Sequence, residues 1–383
     1  MLCILGGYAG YLLLHIVGFY RLHKPSAKQQ KTPDAASPEN TPNIGVVVPF
    51  RNEAALLPLL LEHLAAQEYP ADSWEVILVN DHSTDNGPAL VQQFLEGHGF
   101  AAKARLVHLP DGYAGKKAAL ASGIAQTNAE YILTTDADCA PGPHWLQNTA
   151  KYLLQPTTVA VCGPVRLTCL SNAPQSTLLL RLQQLESAGL VLLGAGAVGL
   201  GYASLANGAN FCFRKSSFQE VDGYSGIDHV ASGDDELLLH KLWRHWPQGI
   251  RFQTEGAAVV PTRAASQWKE LWQQRIRWVS KTTAYRNLPM QAGQWIGLLG
   301  MLTQLAAIVL LFLPAGGWAA AGFLVGKFLV DALQLSLANR WLGNRQALPW
   351  IPLLWLLYPF YVLWVAFAGN FSGTYTWKGR NVR

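Results

Sequence analysis

Two aspartates, Asp136 and Asp138, stand two residues apart just after an apolar run at residues 131–133. On an extended chain, residues two apart point to the same side. Carboxylate oxygens are the ligands that Mg²⁺ and Mn²⁺ prefer, usually one or two of them together with the phosphates of a substrate. The spacing therefore predicts a divalent metal site, for Mg²⁺ or Mn²⁺, that neutralises a diphosphate. The alternative is a chance pair, because surface aspartates at this spacing are common.

A second acidic cluster follows Gly233. Asp234, Asp235 and Glu236 are consecutive, and repulsion between like charges raises the pKa of at least one carboxyl group in such a cluster. A carboxylate of that kind accepts the proton of a hydroxyl group, so Asp235 and Asp234 are candidates for a general base. The alternative is a helix N-terminus that carries acids, and the two interpretations are compatible.

Polar turns follow two further apolar runs, at residues 44–48 and 76–79, which have the pattern of buried parallel strands. Ligands of open α/β sheets bind at the carboxyl ends of such strands. We therefore expect these turns to contact the base and ribose of a nucleotide; the alternative is that they are ordinary helix caps. The candidate binding residues are Pro49, Arg51, Asn52, Glu53, Asp81 and Asp136.

Lys116 follows Gly115 and begins a helical stretch at residues 116–126. The N–H groups and dipole of a helix N-terminus, together with an ammonium group, favour a phosphate ligand, so Lys116 is predicted to bind one. Lys117 is interpreted as a solvated neighbour. Helical stretches also occur at residues 54–67 and 89–96, and their alternation with strands predicts an α/β fold built from βαβ units.

Gln274, Arg277 and Trp278 lie on a helical stretch that also contains Trp268 and Trp272. One interpretation is a membrane-interface helix with aromatic anchors and basic side chains that extend toward lipid head groups. The other is that Arg277 binds a departing diphosphate while Trp278 packs under the second substrate.

The composition indicates a membrane protein. Half of the 383 residues (50%) are hydrophobic and only 14% are charged, and the mean hydropathy is +0.13. The net charge of +5 is not arranged as a basic run interleaved with aromatic residues, so we expect no nucleic-acid partner and a membrane surface as the anionic partner. The five cysteines lack CxxC spacing, which favours reduced thiols over disulfides or zinc.

Four apolar segments have the length of a membrane span, at residues 2–20, 295–313, 318–338 and 348–368. Basic residues from Arg21 onward follow the first segment. Because positive flanks stay in the cytoplasm, we expect a multi-pass protein of the inner or plasma membrane with a cytoplasmic catalytic domain. The basic tail at residues 378–383 conflicts with three complete C-terminal crossings. Either the last segment is re-entrant or the tail breaks the rule.

Two apolar regions have more than one interpretation. Residues 188–206 lack charges, but a crossing there would separate Asp138 from Asp235, so we expect this region to stay with the catalytic domain. Lys327 and Asp331 are four residues apart on one helical face within a predicted span. Intramembrane charges usually face protein, so we expect a packing role, with lipid head-group binding as the alternative.

These blocks, in this order, resemble the membrane-bound glycosyltransferase family 2 enzymes, which include cellulose, chitin and hyaluronan synthases. The resemblance covers about residues 44–287 and the membrane layout. It implies a Rossmann-like nucleotide-diphospho-sugar transferase domain of the A-type fold, with N- and C-terminal transmembrane helices. Asp136 and Asp138 match the family's DxD motif, which binds the metal and the donor diphosphate. Asp235 matches the position of the family's general base. Gln274, Arg277 and Trp278 match the QxxRW motif, which lies near the diphosphate and the acceptor. Asp234 stands where the family usually has Glu, which keeps both aspartates as candidates for the base. Residues 207–210 resemble an acceptor-side segment.

The resemblance implies an inverting hexosyltransferase that moves a sugar from a nucleotide-sugar donor, with UDP-sugar as the family's commonest choice, to a lipid-linked or membrane-embedded acceptor for cell-envelope glycan or glycolipid synthesis. The alternatives are a processive polysaccharide synthase, a nucleotidyltransferase, and a non-catalytic membrane scaffold or transporter. The last would leave the strand-end acids unexplained. The expected organisation is an N-terminal helix (1–20), a flexible tether (21–43), a catalytic domain (44–262), an interfacial helix (263–290), a transmembrane region (291–368) and a basic tail (369–383).

Overall fold

A seven-stranded mixed sheet forms the centre of the molecule. The structure, a computed structural model, describes residues 1–23, 41–97, 100–170, 176–228, 230, 232–313, 317–371, 375–377 and 380–382. The strand order is β3–β2–β1–β4–β7–β5–β8, and only β7 runs antiparallel to its neighbours in this sheet of the described chain. The strands are β1 (Ile44–Phe50), β2 (Trp74–Asn80), β3 (Lys103–His108), β4 (Tyr131–Thr134), β5 (Ala160–Cys162), β6 (Val165–Thr168), β7 (Phe211–Arg214), β8 (Ile250–Phe252), β9 (Val260–Arg263), β10 (Tyr375–Trp377) and β11 (Arg380–Val382). Strands β6 and β9 form a separate parallel pair, and β10 and β11 an antiparallel one.

Helices cover the sheet and extend from both ends of the domain. The predicted helix at residues 116–126 is confirmed, and it begins where Gly115, at a φ of 95°, turns the backbone away from the preceding loop. The predicted helix at residues 54–67 is shorter, because residues 51–56 form a turn before it. The helices are α1 (Leu2–His23), α2 (Leu57–Ala65), α3 (Gly87–Gly97), α4 (Lys116–Gln126), α5 (Trp145–Leu153), α6 (Thr177–Gly199), α7 (Lys215–Glu220), α8 (Glu236–His245), α9 (Trp268–Ser280), α10 (Leu288–Leu310), α11 (Gly317–Trp341) and α12 (Ile351–Phe371).

Each face of the sheet has its own hydrophobic core. Every residue of β1 is buried, as expected for a strand that is covered on both faces. Because side chains alternate along a strand, Val46 and Val48 pack with Leu60 of α2, whereas Val47 lies in the opposite core with Leu120 of α4. The runs predicted as strands at residues 44–48 and 76–79 are thus confirmed.

The sheet topology brings the polar turns together. Phe50 of β1 pairs with Asn80 of β2, and Val47 of β1 pairs with Thr134 of β4. Since these three strands are parallel, their carboxyl ends lie along one edge of the sheet. The turns that begin after Phe50, Asn80 and Thr134 therefore meet at that edge.

Five helices within the described residues are long and apolar enough to cross a membrane. Four of them correspond to the predicted spans: α1, α10, α11 and the segment Arg345–Ala368, which contains most of α12. The fifth is α6, which contains part of the region 188–206. Its residues Ala188, Leu192 and Ala195 belong to the same core as Val47 of the sheet, so this helix packs against the catalytic domain as expected.

Helices α1 and α6 cross at very short range because glycines line their contact. A Cβ atom added to Gly18 would lie 2.1 Å from the carbonyl oxygen of Gly196, and one added to Gly199 would lie 1.9 Å from that of Gly18. Only glycine allows the two backbones to approach this closely. The N-terminal helix is therefore fixed against the sheet and its helices through α6.

The charged pair in α11 is enclosed by protein. Lys327 Nζ donates to Asp331 Oδ2 at 2.6 Å, and the hydroxyl of Tyr8 in α1 donates to Asp331 Oδ1 at 2.6 Å. The ammonium group also lies 4.7 Å from the centre of the Tyr8 ring. These contacts support the packing interpretation over lipid head-group binding.

The last helix is continuous despite its prolines. A 3₁₀ turn at Arg345–Trp350 leads into α12, which contains Pro359. After it, β10 lies against α9. The predicted tether falls mainly on residues 24–40, and the basic tail residues Lys378 and Arg383 also lie outside the described residues.

Candidate active site

One cavity of about 1240 Å³ opens at the carboxyl edge of the sheet. Nearly all of the site residues predicted from the sequence line this cavity, and Asn52 is the exception. The predicted residues in its wall are Pro49, Arg51, Glu53, Asp81, Lys116, Asp136, Asp138, Asp234, Asp235, Gln274, Arg277 and Trp278. The topology therefore collects side chains from six separate parts of the chain around one space.

Arg51 joins the turns that follow β1 and β2. Its Nη1 atom donates to the carbonyl oxygens of Asp81, at 2.7 Å, and His82, at 2.6 Å. Asn52 has a left-handed φ of 52°, and its side-chain oxygen accepts a hydrogen bond from the Thr84 N–H at 2.8 Å. Asn52 therefore fixes the two turns to each other and is not among the residues that line the cavity, and its role in ligand binding stays a prediction.

Asp81 is almost completely buried and ties the first turns to the start of α4. Its Oδ2 accepts from the Gly115 N–H at 3.1 Å, and its Oδ1 lies 3.2 Å from Nδ1 of His82. A capping role and a ligand role are both compatible with this position, because Asp81 also lines the cavity.

Lys116 bridges the two acidic clusters. Its ammonium group lies 2.7 Å from Asp136 Oδ1 and 3.1 Å from Asp234 Oδ2. Burial disfavours the ammonium form, but the negative charges of Asp136, Asp234 and Asp235 hold the pKa of Lys116 well above its usual value. A permanent positive charge therefore stands between the DxD aspartates and the second acidic cluster.

Lys117 is buried, and the expectation of a solvated side chain is wrong. Its ammonium group donates to the carbonyl oxygens of Ile227 and Val230, both at 2.5 Å, and of Ser232 at 3.0 Å. These oxygens belong to the loop that precedes Asp234. The two neighbouring lysines of α4 therefore have different contacts. Lys116 lines the cavity, whereas Lys117 binds carbonyl groups of the loop before Asp234.

Asp235 is held rigidly at the start of α8. Its Oδ1 accepts from the Glu236 N–H at 2.7 Å, and its Oδ2 accepts from the Gly208 N–H at 2.8 Å. Burial favours the neutral acid, but the ammonium groups of Lys281 and Lys116 and these two N–H groups hold the pKa of Asp235 below its usual value. These contacts favour the ionised form of Asp235, the form in which a carboxylate can accept a proton.

The raised pKa that the acidic cluster predicts belongs to Glu236. Burial raises the pKa of this carboxyl group, and Asp235 adds to the effect, although the Lys281 ammonium group opposes it. Lys281 Nζ lies 2.9 Å from Glu236 Oε2, and the hydroxyl of Tyr285 donates to the same oxygen. The prediction named like charge as the cause, whereas burial is the larger one.

Lys281 and Tyr285 are site residues that the sequence prediction missed. Both line the cavity and contact Glu236, which precedes them by more than forty residues. The one feature of the sequence that could have identified Lys281 and Tyr285 is their position shortly after Trp278 and the end of α9. Of the segment 207–210, Asn207 lines the cavity. Asn210 is instead buried, and its side-chain oxygen accepts a hydrogen bond from Trp145 Nε1 at 2.9 Å.

The aspartates of the DxD motif provide oxygen ligands to the cavity. Asp136 and Asp138 both line it, and the Thr262 hydroxyl donates to Asp138 Oδ1 at 3.3 Å. Within the described residues, no group of three or more His, Cys, Asp or Glu side chains could enclose a metal. Two carboxylates that face an open cavity fit a divalent cation whose remaining ligands come from a diphosphate.

Gln274, Arg277 and Trp278, the QxxRW residues, line the cavity from helix α9. Arg277 Nη1 lies 3.4 Å from the Ser232 hydroxyl, close to the second acidic cluster. From α9 the cavity continues to Leu298 and Met301 of α10 and to Val362 and Val365 of α12. It therefore connects the acids at the sheet edge with helices of membrane-spanning length.

Comparison with known proteins identifies the domain that contains this edge of the sheet. Residues 45–188 match the family profile "Glycosyl transferase family 2". The chain is 29% identical over 239 residues to a probable glycosyltransferase, YdaM, of Bacillus subtilis (strain 168); the alignment covers 62% of this chain and 54% of that protein. It is 25% identical over 272 residues to a poly-beta-1,6-N-acetyl-D-glucosamine synthase of Staphylococcus aureus, covering 70% of this chain and 61% of that synthase. The matches thus span little more than half the length of these relatives.

A solved structure has a similar fold over almost the whole chain. The mannosyltransferase PcManGT from Pyrobaculum calidifontis, in complex with GDP-Man and Mn²⁺, superimposes with a TM-score of 0.59 at 22% identity. The match covers 93% of this chain and 97% of that one. The sheet and its accompanying helices therefore have the A-type glycosyltransferase fold.

Proposed function

We propose that this chain is a glycosyltransferase of family 2, whose profile its residues 45–188 match, and that it moves a sugar from a nucleotide-diphosphate sugar to a hydroxyl group of a lipid-linked or membrane-associated acceptor. The observation that carries this proposal is the single cavity that joins the acids at the sheet edge to α10 and α12. The end of the cavity at the sheet edge suits a donor with two phosphates. The end beside α10 and α12 suits an acceptor with an apolar chain.

The donor would occupy the end of the cavity at the sheet edge. Pro49, Arg51, Glu53 and Asp81 are placed to contact its base and ribose, and UDP is the proposed nucleotide. Lys116 is placed to contact the diphosphate, since its ammonium group already lies against Asp136. Backbone N–H groups at the start of α4 add to the attraction for phosphate oxygens.

Asp136 and Asp138 would hold Mg²⁺ or Mn²⁺ together with the donor phosphates. When bound, this cation supplies positive charge that stabilises the departing nucleoside diphosphate. The Mn²⁺ in the structurally similar mannosyltransferase supports this choice of metal. Arg277, on the facing helix, is placed to add a second positive charge on the same diphosphate.

The proposed reaction is a single displacement. The acceptor oxygen forms a bond to the anomeric carbon while the bond from that carbon to the diphosphate oxygen breaks. The hydroxyl proton passes to Asp235, and the electron pair of the broken bond stays on the nucleoside diphosphate. Asp235 is preferred over Asp234 as the base because Asp234 is ion-paired with Lys116 at 3.1 Å. Attack opposite the leaving group inverts the anomeric configuration.

An acceptor in the membrane accounts for the far end of the cavity. Leu298, Met301, Val362 and Val365 contribute apolar surface to the cavity, and Tyr358 and Tyr361 also line it. An acceptor with a lipid tail would place the tail among the apolar residues and its hydroxyl group near Asp235. We propose cell-envelope glycan or glycolipid synthesis as the process, and the similarity to the poly-N-acetylglucosamine synthase supports it.

We also propose a cytoplasmic catalytic domain with a multi-pass anchor. Strand β10 lies against α9. The ring centres of Tyr361 in α12 and Trp272 in α9 lie 5.5 Å apart, with the two rings tilted relative to each other. A chain end on the same side as α9 agrees with an α12 that does not cross the membrane, and it removes the conflict with the positive-inside rule. Helices α10 and α11 would then form the C-terminal crossings.

A processive synthase is the second candidate, because the Staphylococcus relatives are named as synthases of a polymer, poly-beta-1,6-N-acetyl-D-glucosamine. Transfer of a single sugar is the preferred proposal. The two differ in their product, so chain length distinguishes them.

The test is release of nucleotide by purified protein in detergent. UDP-, GDP- and dTDP-sugars are offered with Mn²⁺ or Mg²⁺ and a panel of acceptors that carry a hydroxyl group: n-octyl glycosides and diacylglycerol. We expect metal-dependent release of one nucleotide and one added sugar per acceptor, as measured by mass spectrometry. Absence of both donor binding by calorimetry and nucleotide release would contradict the proposal and favour a membrane scaffold.

A further inference from the structure

Arg275 lies inside the QxxRW block but is not one of its three defining residues. Only 3% of its surface is exposed, although it carries a charge. A buried guanidinium group requires an ionic partner and nearly complete hydrogen bonding, or it destabilises the fold. Its partner is therefore informative about what this position does.

The partner of Arg275 is Glu186 in the middle of α6. Nη2 and Nε of Arg275 donate to Oε2 of Glu186 at 2.6 and 2.9 Å. The Glu186 side chain is only 10% exposed, so the pair is shielded from solvent and salt. Two bonds from one planar group to one oxygen fix both the position and the plane of the guanidinium group.

The remaining faces of the guanidinium group contact two residues of the motif. Nη1 of Arg275 donates to Oε1 of Gln274 at 2.7 Å. The guanidinium carbon lies 4.1 Å from the centre of the Trp278 ring, which is three residues ahead on the same helical face. A group fixed by Glu186 thus determines where Gln274 and Trp278 stand in the cavity wall.

We propose that Arg275, held by Glu186, is a positioning residue that orients Gln274 and Trp278 at the acceptor end of the cavity. This inference rests on the proposed function, because it assigns to these two residues the acceptor side of the transfer. Through Glu186 it also connects α6, which packs against the N-terminal helix, to the wall of the active site.

The first readout observes Trp278 directly and needs no enzyme activity. Protein labelled with 5-fluorotryptophan is studied by ¹⁹F NMR in detergent, and the Trp278 line is assigned by its loss in Trp278→Phe. We expect Arg275→Lys, which keeps the charge but loses the planar stack, and Glu186→Gln to shift or broaden that line. Arg105→Lys is the control, because Arg105 pairs with Glu75 at 2.7 Å on β3, outside the cavity.

The second readout separates acceptor from donor. With the panel acceptor that gives the fastest transfer, Arg275→Lys should raise the acceptor KM about 10- to 100-fold, since a small misplacement of a positioning group has effects of this size. Donor affinity, measured by calorimetry with the nucleotide diphosphate and Mn²⁺, should be unchanged. In a Trp278→Leu background the same substitution should raise the KM much less, because the residue it positions is gone.

Two results would overturn the inference. One is an unchanged Trp278 line in folded Arg275→Lys and Glu186→Gln proteins. The other is a parallel loss of donor affinity, acceptor affinity and melting temperature, which indicates a general structural role. Failure of the proposed function looks different: wild-type protein would bind no donor, while the Trp278 line would still respond to Arg275→Lys.

Discussion

The ammonium group of Lys116 lies 2.7 Å from a carboxylate oxygen of Asp136, so a residue at the start of α4 and a residue of the DxD motif are in direct ionic contact. The same ammonium group reaches Asp234 at 3.1 Å. One cation thus connects the proposed metal and diphosphate site with the acidic cluster that contains the proposed base.

Removal of this cation should reduce turnover strongly. Lys116→Met leaves Asp136 and Asp234 without their shared partner and removes a positive charge from the proposed diphosphate site. We expect turnover to fall about 100-fold or more, as is typical when one preorganised electrostatic contact is lost. Nucleotide release measures this effect, with Lys103→Met, an exposed change on β3, as the control. Turnover within twofold of wild type would contradict the role of Lys116.

Activity should depend on a divalent metal through Asp138 and Asp136. Chelation with EDTA should abolish nucleotide release, and added Mn²⁺ should restore it. Asp138→Asn removes one anionic ligand, so we expect weaker Mn²⁺ binding in the presence of UDP, as measured by electron paramagnetic resonance. The control is Asp72→Asn, an exposed aspartate outside the cavity. Equal Mn²⁺ affinity in wild type and Asp138→Asn would exclude this residue as a ligand.

The pH profile distinguishes Asp235 from Glu236 as the base. A base must be deprotonated to act, and the pKa of Asp235 lies below its usual value whereas that of Glu236 lies above it. If Asp235 is the base, kcat/KM should stay constant as the pH falls from 7 toward the ordinary aspartate pKa of about 4. An acid limb above the ordinary glutamate pKa, together with loss of turnover in Glu236→Gln, would instead assign the role to Glu236.

The contact between α1 and α6 should be sensitive to a single methyl group. In Gly18→Ala the new Cβ would meet the Gly196 carbonyl oxygen at 2.1 Å, so the helices must separate. We expect a loss of stability of about 1–3 kcal/mol, the usual cost of overpacking. Thermal unfolding in detergent measures it. Gly7→Ala in the same helix has open space around its Cβ and should be neutral or slightly stabilising; equal effects of the two changes would contradict the close packing.

Native cysteines report the membrane orientation. Cys3 and Cys169 are exposed, whereas Cys139, Cys162 and Cys212 are buried. If the catalytic domain is cytoplasmic, a membrane-impermeant maleimide should label Cys169 in inverted vesicles but not in intact cells, with Cys169→Ser as the control. Labelling of Cys169 from outside intact cells would reverse the proposed topology.

Local patterns predicted the frame of this molecule well. The apolar runs before Pro49 and Asp81 identify buried strands. A strand that is covered on both faces needs apolar side chains at nearly every position, so its sequence is a continuous apolar run. The start of α4 at Lys116 was predictable from Gly115. Given parallel strands, convergence of Asp81 and Asp136 followed from topology alone, without knowledge of any side-chain contact.

The errors concern contacts between distant residues. Lys117 has the sequence context of an exposed polar residue, yet it is fixed by carbonyl groups of the loop before Asp234. The contact of Asn52 with Thr84 was likewise not predicted. Lys281 and Tyr285 were missed for the same reason, because their partner Glu236 is identified only by the folded chain. The pKa of Asp235 also depends on Lys281, so the sequence of the acidic cluster alone did not predict its direction.

The central claim is that Asp235 acts as the base in sugar transfer within this cavity. Its most direct test compares wild type with Asp235→Asn, a change that keeps the side-chain shape but removes the proton acceptor. We predict that Asp235→Asn loses metal-dependent nucleotide release by about 100-fold or more, since general base catalysis contributes factors of this size, while its calorimetric affinity for the donor nucleotide stays within a few-fold of wild type. Undiminished release by a folded Asp235→Asn protein would contradict the account.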